Sequence, residues 1–196
     1  MKGEPIEAVN EGLSVLLASL KQNPFALESV FLSLFTFDAK VTEVLPLTSV
    51  DGLDMPRVAT PDSGPTHLGA ALQELERAIA RNSKKSGVNA RSDWAPLLFI
   101  MTDGRPSDTQ LYTDLVPRIR NHGFRQIIGC AAGPKADLDS LSGLCDQIVS
   151  LSNMDISGFS NLFEWVSNVI ARDNQSSSVY NKSALPAPPK EIQLEL

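Results

Sequence analysis

Cysteine is scarce, with only Cys130 and Cys145 in 196 residues. Two thiols do not staple a chain of this length into a disulfide framework, so the fold must rest on an apolar core, and both read as buried or idle side chains. Positive charge is also short, at 17 Lys and Arg against 23 Asp and Glu, for a formal net charge of -6. That balance argues against nucleic acid as the main partner, because phosphate contacts need clustered cations. The small clusters Lys84-Lys85 and Arg118/Arg120 read as solvated helix ends. No apolar run approaches the roughly 20 residues of a membrane span. The basic-then-apolar order of a secretory signal is missing too, so the expected setting is a reducing cytoplasm away from membranes. Gly-x-Ser-x-Gly, a Gly-rich phosphate loop, zinc-spaced His or Cys pairs and Gly-x-Gly-x-x-Gly are all absent, and no enzyme is expected.

What is present is an ordinary globular composition, 42% hydrophobic and 20% charged, long enough for one domain with a sizeable core. Its most apolar run is Leu97–Met101, entered through Pro96 and left through Thr102-Asp103-Gly104. Such a run predicts a strand buried on both faces of a helix-covered parallel sheet. Ligands of open α/β sheets collect beyond the carboxyl ends of the strands, which makes Asp103 the first candidate residue. Gly104 is expected to supply a sharp exit with unusual backbone angles, and Pro106 to stiffen the loop. A carboxylate aimed in this way suits a hard cation or a donor-rich partner; the plainer reading is an Asx turn with Gly104.

Taken in order, Ile6, Val9, Leu13, Leu16, Leu17 and Leu20 give a helical stripe started near Pro5 and ended at Asn23-Pro24. Ser29–Phe37 reads as a strand and Val41–Leu47 as its antiparallel partner at a sheet edge marked by Pro46, with Asp38-Ala39-Lys40 as the turn. Thr48–Pro65 is a loop, closing on Ser63-Gly64-Pro65-Thr66-His67 before a helix carrying Leu68, Leu72, Leu75 and Ile79. Arg81–Asp93 reads as polar and flexible. After the central strand come a helix through Leu111, Leu115 and Ile119, a strand over 126–132, a short helix, a strand over 147–151, and a closing helix burying Phe159, Leu162, Phe163, Val166 and Ile170. Asp173–Leu196 turns to Asn, Gln, Ser and Pro and reads as a flexible tail, although its alternating end Glu191–Leu196 could add to a sheet edge. There is no internal repeat. Helices alternating with strands imply right-handed crossovers and helices on both faces of a doubly wound sheet.

Such a sheet normally opens on a strand, whereas the first element here is a helix. The phrase Met1-Lys2-Gly3-Glu4-Pro5-Ile6 resembles the segment just after the Asp-x-Ser-x-Ser loop of von Willebrand factor A (VWA) domains. Gly64-Pro65-Thr66 with Leu68-Gly69-Ala70-Ala71-Leu72 resembles that family's Gly-x-Thr loop and helix, and Thr102-Asp103-Gly104-Arg105-Pro106 its Asp-Gly strand end. Residues 1 to 172 carry the resemblance, which is nearest to bacterial VWA proteins of tellurite-resistance and stress operons (TerY-like). It implies a three-layer α/β fold, doubly wound and mostly parallel with one antiparallel edge strand, lacking its first central strand. Four or five aliphatic side chains of such a strand, at about 1.5–3 kcal/mol each, come to roughly 10 kcal/mol, comparable with the stability of a whole domain.

The resemblance further implies a metal-ion-dependent adhesion site. Thr66 would ligate Mg²⁺ or Mn²⁺ through its hydroxyl and Asp103 directly or through water, with the other ligands contributed from upstream of Met1. Magnesium wants about six oxygens, so weak binding is expected from these two alone. The implied function is metal-dependent binding of a protein partner that offers an Asp or Glu, with an operon-encoded kinase and phosphatase as candidates. The alternatives are a metal-independent scaffold, or a hydrolase or phosphoacceptor using Asp103. Thr66 can also be read as a helix N-cap, Asp108 as the cap of the helix that follows it, His67 as a solvated histidine at a helix start, and Trp94 and Trp165 as packing residues.

Overall fold

The computed structural model describes residues 4–61, 64–85, 96–133, 136–152, 154–175, 186–190 and 192–195. Helix α1 (Glu4–Lys21) buries the expected stripe. The strand expected from Ser29 starts later, because Asn23 does more than end α1. Its side chain accepts from the Phe25 and Ala26 amides, and with Pro24 in the first turn it starts a second helix, α2 (Pro24–Ser29). Strand β1 (Phe31–Phe37) then pairs antiparallel with β2 (Val41–Ser49) across the expected turn, where the Lys40 amide donates to Asp38 Oδ1.

Helix α3 (Leu68–Lys85) runs through Arg81, where a flexible stretch was expected to begin. Arg81 lies about two helical turns beyond Glu74 and bonds both that residue and Glu43 of β2. The Arg81 hydrogen bond holds the Glu74 carboxyl below its ordinary pKa. Strand β3 (Leu97–Thr102), α4 (Thr109–Arg120), β4 (Gln126–Ala132), α5 (Leu138–Ser142), β5 (Gln147–Leu151) and α6 (Ile156–Gln175) follow the expected alternation. The helix continues past the expected boundary at Arg172, and β6 (Ile192–Glu195) lies antiparallel on the β5 edge. Buried Trp165 donates its indole N–H to the Pro186 carbonyl and holds the segment leading there. Residues 192–195 thus take the sheet-edge alternative read from the alternation of Glu191–Leu196, and 186–190 are docked beside α6 instead of forming a flexible tail.

The strands form two sheets, β1-β2 and β3-β4-β5-β6, the second parallel except for β6. This is the mixed, mostly parallel α/β arrangement of VWA and Rossmann-like folds, with antiparallel strands at both outer edges instead of one. Two helix layers cover it. On one side α1 and α6 pack Leu13, Leu17, Phe159 and Phe163 against Ile128 and Val149. On the other, α3, α4 and α5 pack Leu68, Leu72, Leu115 and Leu141 against Ile100 and Ile127. Both layers reach across the seam between β1 and β3, where no ladder joins the sheets.

The seam corrects one expectation. Strand β3 was expected to be buried on both faces, but only Ile100 and Thr102 are buried, whereas every residue of β4 is. Apolar content marks what a strand can bury; a neighbour on each side decides whether it does.

The two thiols are free and buried, Cys130 facing the α1/α6 layer and Cys145 the other. Burial pushes both from an ordinary value of 9.0 up to about 12. Iodoacetamide at pH 8 is therefore expected to label neither in the native chain and both after denaturation. Because the folded chain keeps protons that the unfolded chain loses, the thiol contribution to stability is full below 9 and declines as pH climbs from 9 toward 12. Labelling of either thiol in the native chain at the unfolded rate would contradict this.

Candidate functional site

At the carboxyl end of β3 the chain bends over Thr102, whose buried hydroxyl donates to the Gly104 carbonyl and accepts from the Gly104 amide, at 3.1 and 3.3 Å. The threonine before Asp103 thus takes part in holding this bend. Gly104 is not among the glycines with positive φ, so the unusual backbone angles expected there are not its reason. Its missing side chain is: a Cβ at Gly104 would stand 3.3 Å from Thr66 Oγ1. Thr66 and the residue after Asp103 are therefore in near contact, although they lie far apart in the sequence.

Reciprocal bonds lock the two loops together. The Thr66 amide donates to Ser107 Oγ at 2.9 Å, and the Ser107 amide donates back to the Thr66 carbonyl at 2.8 Å. The turn between β1 and β2 joins the same edge. Its Asp38 carbonyl accepts the His67 amide at 3.0 Å, and the Ala39 carbonyl lies 3.2 Å from His67 Nδ1. His67, expected as a solvated residue, is a tie to that turn.

Asp108 also departs from its expected role. At the N-cap of α4 its side chain makes no capping bond; the carboxylate reaches α3 instead, accepting from the Gly69 and Ala70 amides at 3.0 and 2.7 Å. A negative charge on the first-turn amides of a helix is favoured by the unsatisfied donors and the helix dipole together. The crossing is tight, since a Cβ at Gly69 would meet the Tyr112 backbone nitrogen at 2.6 Å.

These bonds bear on Thr66. Of the first amides of α3, Leu68 donates to the Thr66 carbonyl, Gly69 and Ala70 to Asp108, and Ala71 to the His67 carbonyl. All four are satisfied without the Thr66 hydroxyl, so Thr66 is not the N-cap that local sequence suggested. Beyond Asp103, Arg105 pairs with Asp137 at 3.0 Å, joining the loop after β3 to that after β4.

As donors for a hard cation, one threonine hydroxyl and one carboxylate meet only part of an octahedral set of about six oxygens. Among the described residues no group of three or more His, Cys, Asp and Glu gathers as a metal site. Ser63 and Trp94, singled out from sequence, lie outside the described residues. Sequence reasoning missed Asn10, Thr102 and Ser107 as organisers. Asn10 is buried in α1 and clamps the loop before Thr66 with both ends of its side-chain amide, Nδ2 donating to the Val58 carbonyl and Oδ1 accepting from the Val58 amide. The signal was a polar residue inside the apolar stripe of α1.

No protein-family model matches the chain, and no curated protein does. Two solved structures of proximal thread matrix protein 1 from the mussel byssus, which has a VWA-like fold, are similar at 15% identity, with TM-scores of 0.61 and 0.63 over 84% of this chain. The match covers 43% and 42% of those chains, so this chain spans less than half their length. At that identity the likeness concerns the fold alone: the chain shares a VWA-like α/β fold with them.

Proposed function

We propose that the edge carrying Thr66 and Asp103 is a protein-docking surface that works through a divalent cation, Mg²⁺ or Mn²⁺, in a cytoplasmic bacterial stress or tellurite-resistance system. The observation that carries the reading is the spare Thr66 hydroxyl beside Gly104, in a loop bonded twice to Ser107 and relieved of helix capping by Asp108. The Thr66 hydroxyl and the Asp103 carboxylate are hard oxygen donors, carried on two loops bonded to each other through Thr66 and Ser107. When bound, the cation would supply an open coordination position for the Asp or Glu of a protein partner, with the operon-encoded kinase and phosphatase as the candidates. The chain's own residues position the donors and shape the rim, and no reaction step is assigned to them.

The test is Mn²⁺ titration of the chain. Asp103→Ala is expected to weaken binding by more than about a hundredfold, beyond the 10–100-fold typical of losing a residue that only orients a ligand. Partner capture should fall with it and with chelator. Capture unchanged in Asp103→Ala and in chelator identifies a metal-independent scaffold instead.

A further inference from the structure

We infer that the docking edge continues from Asp103 to a pocket between the carboxyl ends of β4 and β5, which takes one aliphatic side chain of an extended acidic partner segment. Resting on the cation reading of that edge, the pocket supplies the partner's second contact. Its volume is about 330 Å³, at the lower end of the range for ligand sites. Ala131, Ala136, Leu138 and Leu151 give it apolar walls, and Ser152 stands at its exposed rim. The space has a local cause. Ala131 and Ser150 are partners in the parallel register, two small side chains side by side, and the α5 helix that follows β4 is only five residues long. The position is also the expected one, beyond the carboxyl ends of strands in an open α/β sheet.

An ion pair ties this pocket to the cation edge. Arg105, two residues past Asp103, places its Nε 3.0 Å from Oδ2 of Asp137, the residue between Ala136 and Leu138 of the pocket wall. The backbone on either side of Arg105 is held by the Thr102–Gly104 and Ser107–Thr66 bonds. Although anchored at one nitrogen, the Arg105 side chain is 78% exposed. Its guanidinium therefore offers donors and positive charge to an acidic segment laid across it.

Sheet geometry sets the spacing within that segment. Strands β3, β4 and β5 are consecutive neighbours. With adjacent strands about 4.8 Å apart, the pocket lies about 5–10 Å from the end of β3, which an extended chain covers in two or three residues at about 3.3 Å each. The partner segment thus carries an Asp or Glu for the cation and a Leu, Ile or Val two or three positions away.

The test uses short Gly/Ser peptides carrying one Asp with a Leu two or three positions to either side, and matched peptides with Gly in place of Leu. Shift titrations of the ¹⁵N-labelled chain are run in Mg²⁺ and in EDTA. At one of these spacings the Leu peptide should bind about tenfold or more tighter than its Gly match, as burial of one aliphatic side chain requires, and should move the Gly133 and Ser152 amides. Ser152→Phe, which fills the rim, should abolish that preference with an unchanged melt. No Leu preference at any spacing, or one that survives Ser152→Phe, overturns the pocket. The cation is decided separately: tightening by Mg²⁺ without a Leu preference supports it and overturns the pocket, whereas a Leu preference with equal affinities in Mg²⁺ and EDTA supports the pocket and overturns the cation.

Discussion

Gly69→Val is expected to lower stability by about 3–5 kcal/mol, near the upper end for overpacking, plus part of the value of two hydrogen bonds to a charged group. The smallest side-chain atom at this position would stand 2.6 Å from the Tyr112 nitrogen, 2.9 Å from Asp108 Oδ2 and 3.0 Å from the Leu111 carbonyl carbon. Two of these are backbone atoms of α4 and cannot rotate away. Helices α3 and α4 must separate, and the Asp108 carboxylate then leaves the Gly69 and Ala70 amides. For a chain of this size each kcal/mol moves Tm by about 2–4 °C, so a melt should drop by about 10 °C. Gly143→Ala is the control: nothing stands within 4 Å of its Cβ position, and a change within about 0.5 kcal/mol is expected. Equal melts for the two variants would refute the close α3/α4 approach.

Phe159→Ala should cost about 3–5 kcal/mol, the usual range for emptying a buried aromatic site, out of a total of about 5–15 for a domain. Phe159 is fully buried in the α1/α6 layer. Its own carbonyl stands 3.0 Å from where a Cβ of Gly12 would be, so α1 and α6 are already at close approach and cannot collapse further into the void. The site edge belongs largely to the other layer, through α3 and α4. Denaturant melts should therefore show the large loss, while at temperatures where the variant is folded the Thr66 and Ser107 amides keep wild-type exchange rates. A shift at Thr66 as large as that in α1 would mean that the two layers do not act independently.

The two variants probe features of unequal legibility. Helix α6 and the run from α3 to β5 could be read from sequence because 3.6-residue periodicity and apolar runs are local signals. Helix α2 escaped because six residues hold too little periodicity, and Asn23-Pro24 serves equally as a stop and as a start. Burial of β3 was overestimated because it depends on a neighbour across the seam, which no property of Leu97–Met101 encodes.

At the site, Thr66 and Asp103 were legible as candidates from the resemblance, but their supporting bonds were not. Asp108 looked like a cap for its own helix and caps the preceding one. Gly104 looked like a conformational hinge and proves to be clearance for a hydroxyl. Both errors have one cause: local sequence rules assign a residue to its own turn, whereas the partners here lie some 40 positions away.

The most direct measurement is Mn²⁺ titration of the ¹⁵N-labelled chain, because paramagnetic broadening reports even weak occupancy by position. A cation held between Thr66 and Asp103 requires early, selective loss of the Thr66, Gly104 and Ser107 amide signals, abolished by Asp103→Ala. Broadening centred on another acidic surface, or unchanged in Asp103→Ala, would contradict it.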